Sequence, residues 1–178
     1  MNTQDALAAF IERWFEKYQQ NLPTIAFDLK WPSLCYAEDA DDGHFCPWRP
    51  VEQTPSSDMF TRLSQALETD IHPDIVSYYT SFWSAPLSAS SNEGDLVLLQ
   101  AWNEEDMERL RANLIGHALA KHKQKHPLTF FFACTEPDDG ILSINNDDGT
   151  VWLEYPGKKP VRQVDGSLGS FLARLTPQ

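Results

Sequence analysis

The chain has 178 residues, of which 42% are apolar, including six Trp and ten Phe, and it carries a formal net charge of −12. This apolar content allows a buried core and excludes a largely disordered chain, and no apolar run reaches the roughly 18 residues needed to span a bilayer. The negative charge disfavours binding to nucleic acid or to anionic lipid.

The first 52 residues predict one helix followed by irregular chain. Apolar residues at helical spacing predict an amphipathic helix over 7–18, with Thr3 as its N-cap. Residues 24–52 are rich in proline and carry scattered aromatic residues, which favours irregular chain with short strands at 34–37 and 45–48.

Two short helices are expected in the next segment. Apolar residues share one face over 60–67, and Ser56 or Ser57 could cap this helix. A second helix should begin near Asp74, after a His-Pro break. The serine-rich residues 86–94 are typical of a mobile loop.

The second half of the chain has clearer patterns. Residues 95–102 predict a buried strand, and Asn103 should cap a long helix with an acidic first turn and a basic end at 121–126. Further strands are expected at 128–134 and 141–145.

A hairpin and a last helix complete the expected fold. Residues 150–155 should pair with the preceding strand through an Asp-Asp-Gly turn, and 167–175 should form a closing helix. We therefore expect a single α+β domain over 1–178, with a mixed or antiparallel sheet covered mainly on one side by helices.

The negative charge is concentrated in one part of the chain. Residues 28–106 contain fifteen carboxylates and three cations, so this segment alone accounts for the net charge. A surface of one sign attracts partners of the opposite sign and speeds their association. The pattern suggests a basic protein partner, although solubility alone also explains an acidic surface.

The spacing of the cysteines and histidines does not indicate a catalytic or metal site. Three cysteines without close pairing favour reduced thiols in a cytosol, and the first residues do not form a signal peptide. Cys35, His44 and Cys46 lack the Cys-x-x-Cys spacing of structural zinc sites. His117 should be a hydrogen-bonded histidine at the core margin, because no nucleophile is paired with it locally. We expect no metal, no cofactor and no catalytic residue.

Several separated motifs resemble the Syd family, the SecY-interacting proteins of gammaproteobacteria. An apolar strand ends in Leu98-Leu99-Gln100-Ala101-Trp102, an acidic helix start follows, and Asn113-Leu114-Ile115-Gly116-His117 comes next. The resemblance continues in Glu38-Asp39-Ala40, Ile71-His72-Pro73, Tyr79-Thr80 and Phe171-Leu172. Residues 41–58 and 86–93 depart from the family pattern.

This resemblance implies a fold related to the SUKH superfamily and a non-enzymatic function. It implies a cytoplasmic protein, held peripherally at the inner membrane by the SecY subunit of the SecYEG translocon, that monitors or restrains improperly assembled SecY complexes. Basic cytosolic loops of SecY would suit an acidic partner, and no direct membrane insertion is expected.

Two other functions remain open at this point. The first is an immunity-like module that binds and neutralises a basic toxin, as many SUKH proteins do. The second is a hydrolase that uses a pair of carboxylates, as glycosidases do.

We expect the partner to bind two groups of acidic residues, one in a turn and one at the junction between a strand and a helix. They are Glu38, Asp39, Asp41 and Asp42, together with Asp95, Glu104, Glu105 and Asp106. The last three also stabilise the start of their helix. The sequence alone leaves open whether the two groups meet.

Overall fold

A computed structural model describes residues 1–137 and 139–178. Within these residues the chain forms five helices. They are α1 (Thr3–Tyr18), α2 (Met59–Leu67), α3 (Pro73–Thr80), α4 (Glu104–Gln124) and α5 (Leu168–Ala173).

The main sheet has seven strands and is antiparallel throughout. Its order is β10 (Arg162–Asp165), β9 (Val151–Glu154), β8 (Ile141–Asn145), β7 (Thr129–Glu136), β6 (Gly94–Leu98), β5 (Leu87–Ser91) and β11 (Thr176–Pro177). Two small sheets pair β1 (Thr24–Ala26) with β2 (Phe45–Pro47) and β3 (Val51–Glu52) with β4 (Phe82–Trp83). The α+β prediction is confirmed.

Several local predictions were wrong in detail. The serine-rich segment expected to be a loop contains β5, because alternating Leu87 and Ala89 are buried in the sheet. Residues 34–37 form no strand, although Tyr36 makes a single bridge to Trp48. Asn2 caps α1 instead of Thr3, and its side chain accepts a hydrogen bond from the Asp5 amide.

Helices lie on both faces of the main sheet, so the expectation of a sheet covered mainly on one side was wrong. Leu153 and Glu154 are consecutive residues of β9 and therefore point to opposite faces. Leu153 lines a cavity with Phe171 of α5, which packs with α1 and α3. Glu154 bonds to Lys121 of α4, which crosses the other face with α2 packed against it.

A buried polar network fixes α4 to the sheet. Lys121 and Glu154 are both buried and form an ion pair. Thr129 donates a hydrogen bond to Glu154 (2.6 Å), and its hydroxyl lies 3.0 Å from Nε2 of His117. Burial alone would raise the pKa of Glu154, but the hydrogen bonds from Lys121 and Thr129 hold it below its usual value. Burial lowers the pKa of His117, which favours the neutral imidazole.

Two tyrosines of α3 bond to a bulge in β7. The register of β7 against β8 shifts between Phe131 and Ala133. The hydroxyl of Tyr79 donates to the carbonyl oxygen of Phe131 (2.9 Å), and that of Tyr78 lies 2.9 Å from the carbonyl oxygen of Leu99 and 3.2 Å from that of Phe132. The carbonyl oxygen of Phe131 is therefore satisfied by a helix side chain, whereas that of Phe132 also accepts a hydrogen bond from the amide of Leu99 (2.9 Å).

Replacing Lys121 by Met should lower the free energy of unfolding by about 3–5 kcal/mol, because the carboxylate of Glu154 would stay buried without its cation. The matched change Lys123→Met, at an exposed position of the same helix, should alter stability by less than about 0.5 kcal/mol. Urea denaturation followed by tryptophan fluorescence measures both values. Equal effects of the two changes would contradict a stabilising role for the buried pair.

Candidate functional site

The turn between β6 and α4 is held by reciprocal capping. The side chain of Asn103 accepts a hydrogen bond from the amide of Asp106 (2.8 Å), and the carboxylate of Asp106 accepts one from the amide of Trp102 (2.8 Å). Both bonds satisfy backbone donors that a helix start leaves without partners. The buried Trp102 is thereby held just before the first turn of α4.

The irregular segment 27–49 packs against this turn. Ser33 donates a hydrogen bond to the carbonyl oxygen of Trp102 (2.7 Å), and Asn103 donates one to the carbonyl oxygen of Pro32 (2.9 Å). The indole nitrogen of Trp102 donates to the carbonyl oxygen of Trp31 at 3.4 Å. The segment is thus joined to the start of α4 by three hydrogen bonds across about 70 residues of chain.

Aromatic rings complete the contact. The ring of Trp102 meets Tyr36 edge-on, with centroids 5.1 Å apart, and Trp48 at 6.1 Å. Trp48 in turn contacts Trp14 of α1 at 5.3 Å. Such edge-to-face pairs add stabilisation beyond area burial. We call Tyr36, Trp48 and Trp102 the aromatic cluster.

The acidic turn 38–42 extends from this cluster. Asp42 accepts a hydrogen bond from the amide of Leu29 (2.9 Å), and the thiol of Cys46 donates one to the carbonyl oxygen of Glu38 (3.1 Å). Asp41 lies 3.9 Å from His44. The four carboxylates predicted in this turn are all exposed. The turn is therefore fixed through its backbone while its charges face solvent.

A groove lies beside the start of α4. It consists of two adjoining cavities of about 360 and 550 Å³, which share Leu34, Trp83 and Glu104. Glu105 lines the larger cavity, opposite Ser56 and Ser57. The groove thus combines apolar side chains with carboxylates.

The charge of Glu108, the fourth acid of α4, is already neutralised by the protein. Glu108 forms ion pairs with Arg62 of α2 and with Arg111. Hydrogen bonds from these two guanidinium groups lower the pKa of Glu108 to about 2. Glu108 therefore joins α2 to α4, whereas Glu104 and Glu105 are exposed and make no ion pair within the described residues.

The two predicted acidic groups are linked through one ring contact, and one predicted residue lies apart from both. Tyr36, two residues before the turn 38–42, meets Trp102, two residues before the helix start 104–106. Asp95 lies at the other end of β6, about 10 Å along the strand from Leu98. There its backbone lies opposite Glu136 of β7 in the sheet, and the residue lines a separate cavity of about 160 Å³.

The predicted acids also differ in what they do locally. Asp106 is partly buried, and its carboxylate caps the helix start and lies 3.7 Å from Arg109. Asp42 fixes the turn, while Glu38, Asp39, Glu104 and Glu105 are exposed. Contact with a partner stays a prediction for all of them.

Sequence reasoning missed the apolar part of this region. Leu34 and Trp83 belong to segments without helical or alternating spacing, so periodicity gave no signal for them. The one available signal was the presence of Trp31 and Trp48 on either side of the acidic turn, which does not indicate which rings meet.

Two further observations concern ligand classes. Among the described residues, no group of three or more His, Cys, Asp or Glu side chains is arranged as metal ligands would be. Within the same residues, no helix is both long and apolar enough to cross a membrane.

Comparison with known proteins identifies close relatives. The profile of the family described as "Syd protein (SUKH-2)" matches residues 4–177. A protein named Protein Syd from Pseudoalteromonas atlantica is 42% identical over 165 residues, which cover 92% of this chain and 88% of that protein. Another Protein Syd, from Alteromonas mediterranea, is 39% identical over 171 residues, which cover 96% of this chain and 94% of that protein.

Replacing Asp106 by Ala should lower the free energy of unfolding by about 0.5–2 kcal/mol, because the amide of Trp102 would lose its acceptor. Glu105→Ala, at an exposed position of the same helical turn, should cost less than about 0.5 kcal/mol. Chemical denaturation of both variants measures this difference. Equal destabilisation would show that only the helix dipole matters and not the cap.

Proposed function

The chain belongs to the Syd (SUKH-2) family, and we propose that it is a non-enzymatic protein that binds basic cytosolic loops of the translocon subunit SecY. The binding residues are the acidic turn 38–42 and the helix start 104–105. The observation that supports this proposal is the edge-to-face contact between Tyr36, two residues before the acidic turn, and Trp102, two residues before the helix start.

The state of these carboxylates supports the proposal. Glu38, Asp39, Glu104 and Glu105 are exposed and make no ion pair within residues 1–137 and 139–178. Their charge is therefore available to a partner. Cytosolic loops of membrane proteins are enriched in Lys and Arg, so a basic loop and this surface are complementary in charge.

The strength of such contacts defines the kind of binding. One exposed ion pair contributes about 0.2–1 kcal/mol, so several must act together to give measurable affinity. Complementary charges chiefly raise the association rate, and salt screens them. The proposed complex is therefore reversible and sensitive to ionic strength.

The same electrostatics support a peripheral location on the cytoplasmic side of the inner membrane. Anionic lipid headgroups repel a chain with a net charge of −12. Attachment through SecY would overcome this repulsion locally. Basic loops that are free of their usual partners would bind best, and this suits a role in monitoring or restraining improperly assembled SecY complexes.

The combined change Glu38→Gln, Asp39→Asn, Glu104→Gln and Glu105→Gln should weaken binding to SecYEG in nanodiscs by about fourfold or more. This minimum follows from four exposed pairs at about 0.2 kcal/mol each. Biolayer interferometry at low and high ionic strength measures the effect. Most of the loss should appear in the association rate, and the variant should show a weaker dependence on salt.

The matched control removes four exposed carboxylates elsewhere, through Glu12→Gln, Glu16→Gln, Glu68→Gln and Asp147→Asn. If the control weakens binding as much as the first set, net charge and not this surface determines the affinity. If the wild-type chain binds SecYEG equally well at low and high salt, the proposed acidic interface is wrong.

A further inference from the structure

The segment 27–49 exposes an unusual set of large apolar side chains. Leu29 is 66% exposed, Leu34 68% and Phe45 74%. The other strongly exposed large apolar residues of the described chain, Met1, Leu119 and Val161, lie on three separate elements or loops. Isolated exposed apolar residues are normal, but a group on one short segment is typical of an interaction surface.

These side chains are displayed on fixed backbone. Phe45 lies in β2 and pairs with Ala26 of β1. The amide of Leu29 is bonded to Asp42 (2.9 Å), and Leu34 stands between Ser33, bonded to Trp102, and the buried Cys35. Binding of a partner therefore costs little conformational entropy, because the backbone that carries these side chains is already ordered.

Each apolar side chain lies beside predicted acidic residues. Phe45 pairs with Ala26, three residues before Leu29, so the Cα atoms of Phe45 and Leu29 are within about 15 Å of each other. The amide of Leu29 is bonded to Asp42, and Phe45 follows His44, whose amide donates to the carbonyl oxygen of Asp41. Leu34 lines the groove with Glu104 and Glu105. Apolar contact area and negative charge therefore occur at the same two places.

We propose that Leu29, Leu34 and Phe45 are apolar anchors, and that the partner segment is amphipathic, with apolar side chains interspersed among its cations. This inference rests on the proposed function and specifies the chemistry of its partner. The carboxylates would set how fast the complex forms, and the anchors would set how long it lasts.

The charge around the anchors argues against a second copy of this chain as the occupant. Two copies that met through this surface would bring Asp41, Asp42 and Glu38 against the same carboxylates. Like charges at an interface oppose association. A cationic amphipathic segment instead satisfies both the apolar area and the charge.

The test replaces the two anchors beside the acidic turn, in the variant Leu29→Ser with Phe45→Ser. Removing one buried apolar side chain from an interface weakens binding by about tenfold or more, so the dissociation rate from SecYEG in nanodiscs should rise at least that much. The association rate and its salt dependence should stay close to those of the wild type. The matched control is Leu119→Ser with Val161→Ser, which should leave both rates unchanged.

A second measurement keeps the inference testable without SecYEG. Two synthetic peptides carry the same number of lysines, one interspersed with Leu and the other with Ser. The wild-type chain should bind the Lys–Leu peptide at least about tenfold more tightly, and the Leu29→Ser, Phe45→Ser variant should lose this preference. The exposed positions of both residues predict that the variant keeps its thermal unfolding midpoint.

The outcomes separate the two proposals. An unchanged dissociation rate in the anchor variant, with SecYEG binding intact, overturns the anchors and leaves the acidic interface standing. Equal binding of the two peptides by the wild type also overturns the anchors. If the wild type ignores SecYEG but prefers the Lys–Leu peptide, the anchors stand and the proposed partner is wrong.

Discussion

The burial of one indole before the start of α4 fixes the segment 27–49 against this helix, and the candidate site depends on that contact. Trp102 lies four residues after the end of β6, and its amide donates a hydrogen bond to the capping carboxylate of Asp106. Its carbonyl oxygen and ring nitrogen are bonded to Ser33 and Trp31, and its ring meets Tyr36. Backbone hydrogen bonds within 27–49, such as those from Ala37 to Pro47 and from Arg49 to Cys35, shape the segment itself, and the contacts with Trp102 fix it against the start of α4.

This arrangement explains why one short segment carries both exposed carboxylates and buried side chains. The aromatic side chains face the start of α4, while the carboxylates of 38–42 and the apolar side chains of Leu29 and Phe45 face solvent. At the far end of α4, the buried pair of Lys121 and Glu154 holds the helix against the sheet. The helix is thus fixed near both ends, and its acidic start has a defined position relative to the turn.

Most helices and strands of the second half were predicted, but β10 and β11 were not, and the strand expected over 95–102 ends at Leu98. The first half was predicted less well. Asn103 as a cap, the acidic first turn of α4 and the strands at 129–136 and 141–145 follow from local patterns that the tertiary fold reinforces. β5 was missed because its exposed positions are serines, so composition favoured a loop while alternation favoured a strand. The capping of α1 was misplaced by one residue, since neighbouring polar side chains compete for that position.

The sequence by itself determined the α+β class, the concentration of negative charge and the motifs that identify the family, because these depend on composition and on short-range spacing. Only the tertiary structure decided that Tyr36, which precedes the turn 38–42, meets Trp102, which precedes the helix start, and that Asp95 lies at the far end of β6. It also decided that Asp106 and Glu108 are used internally. Residues about 70 positions apart meet here through packing around Trp102, and no local pattern encodes such a contact.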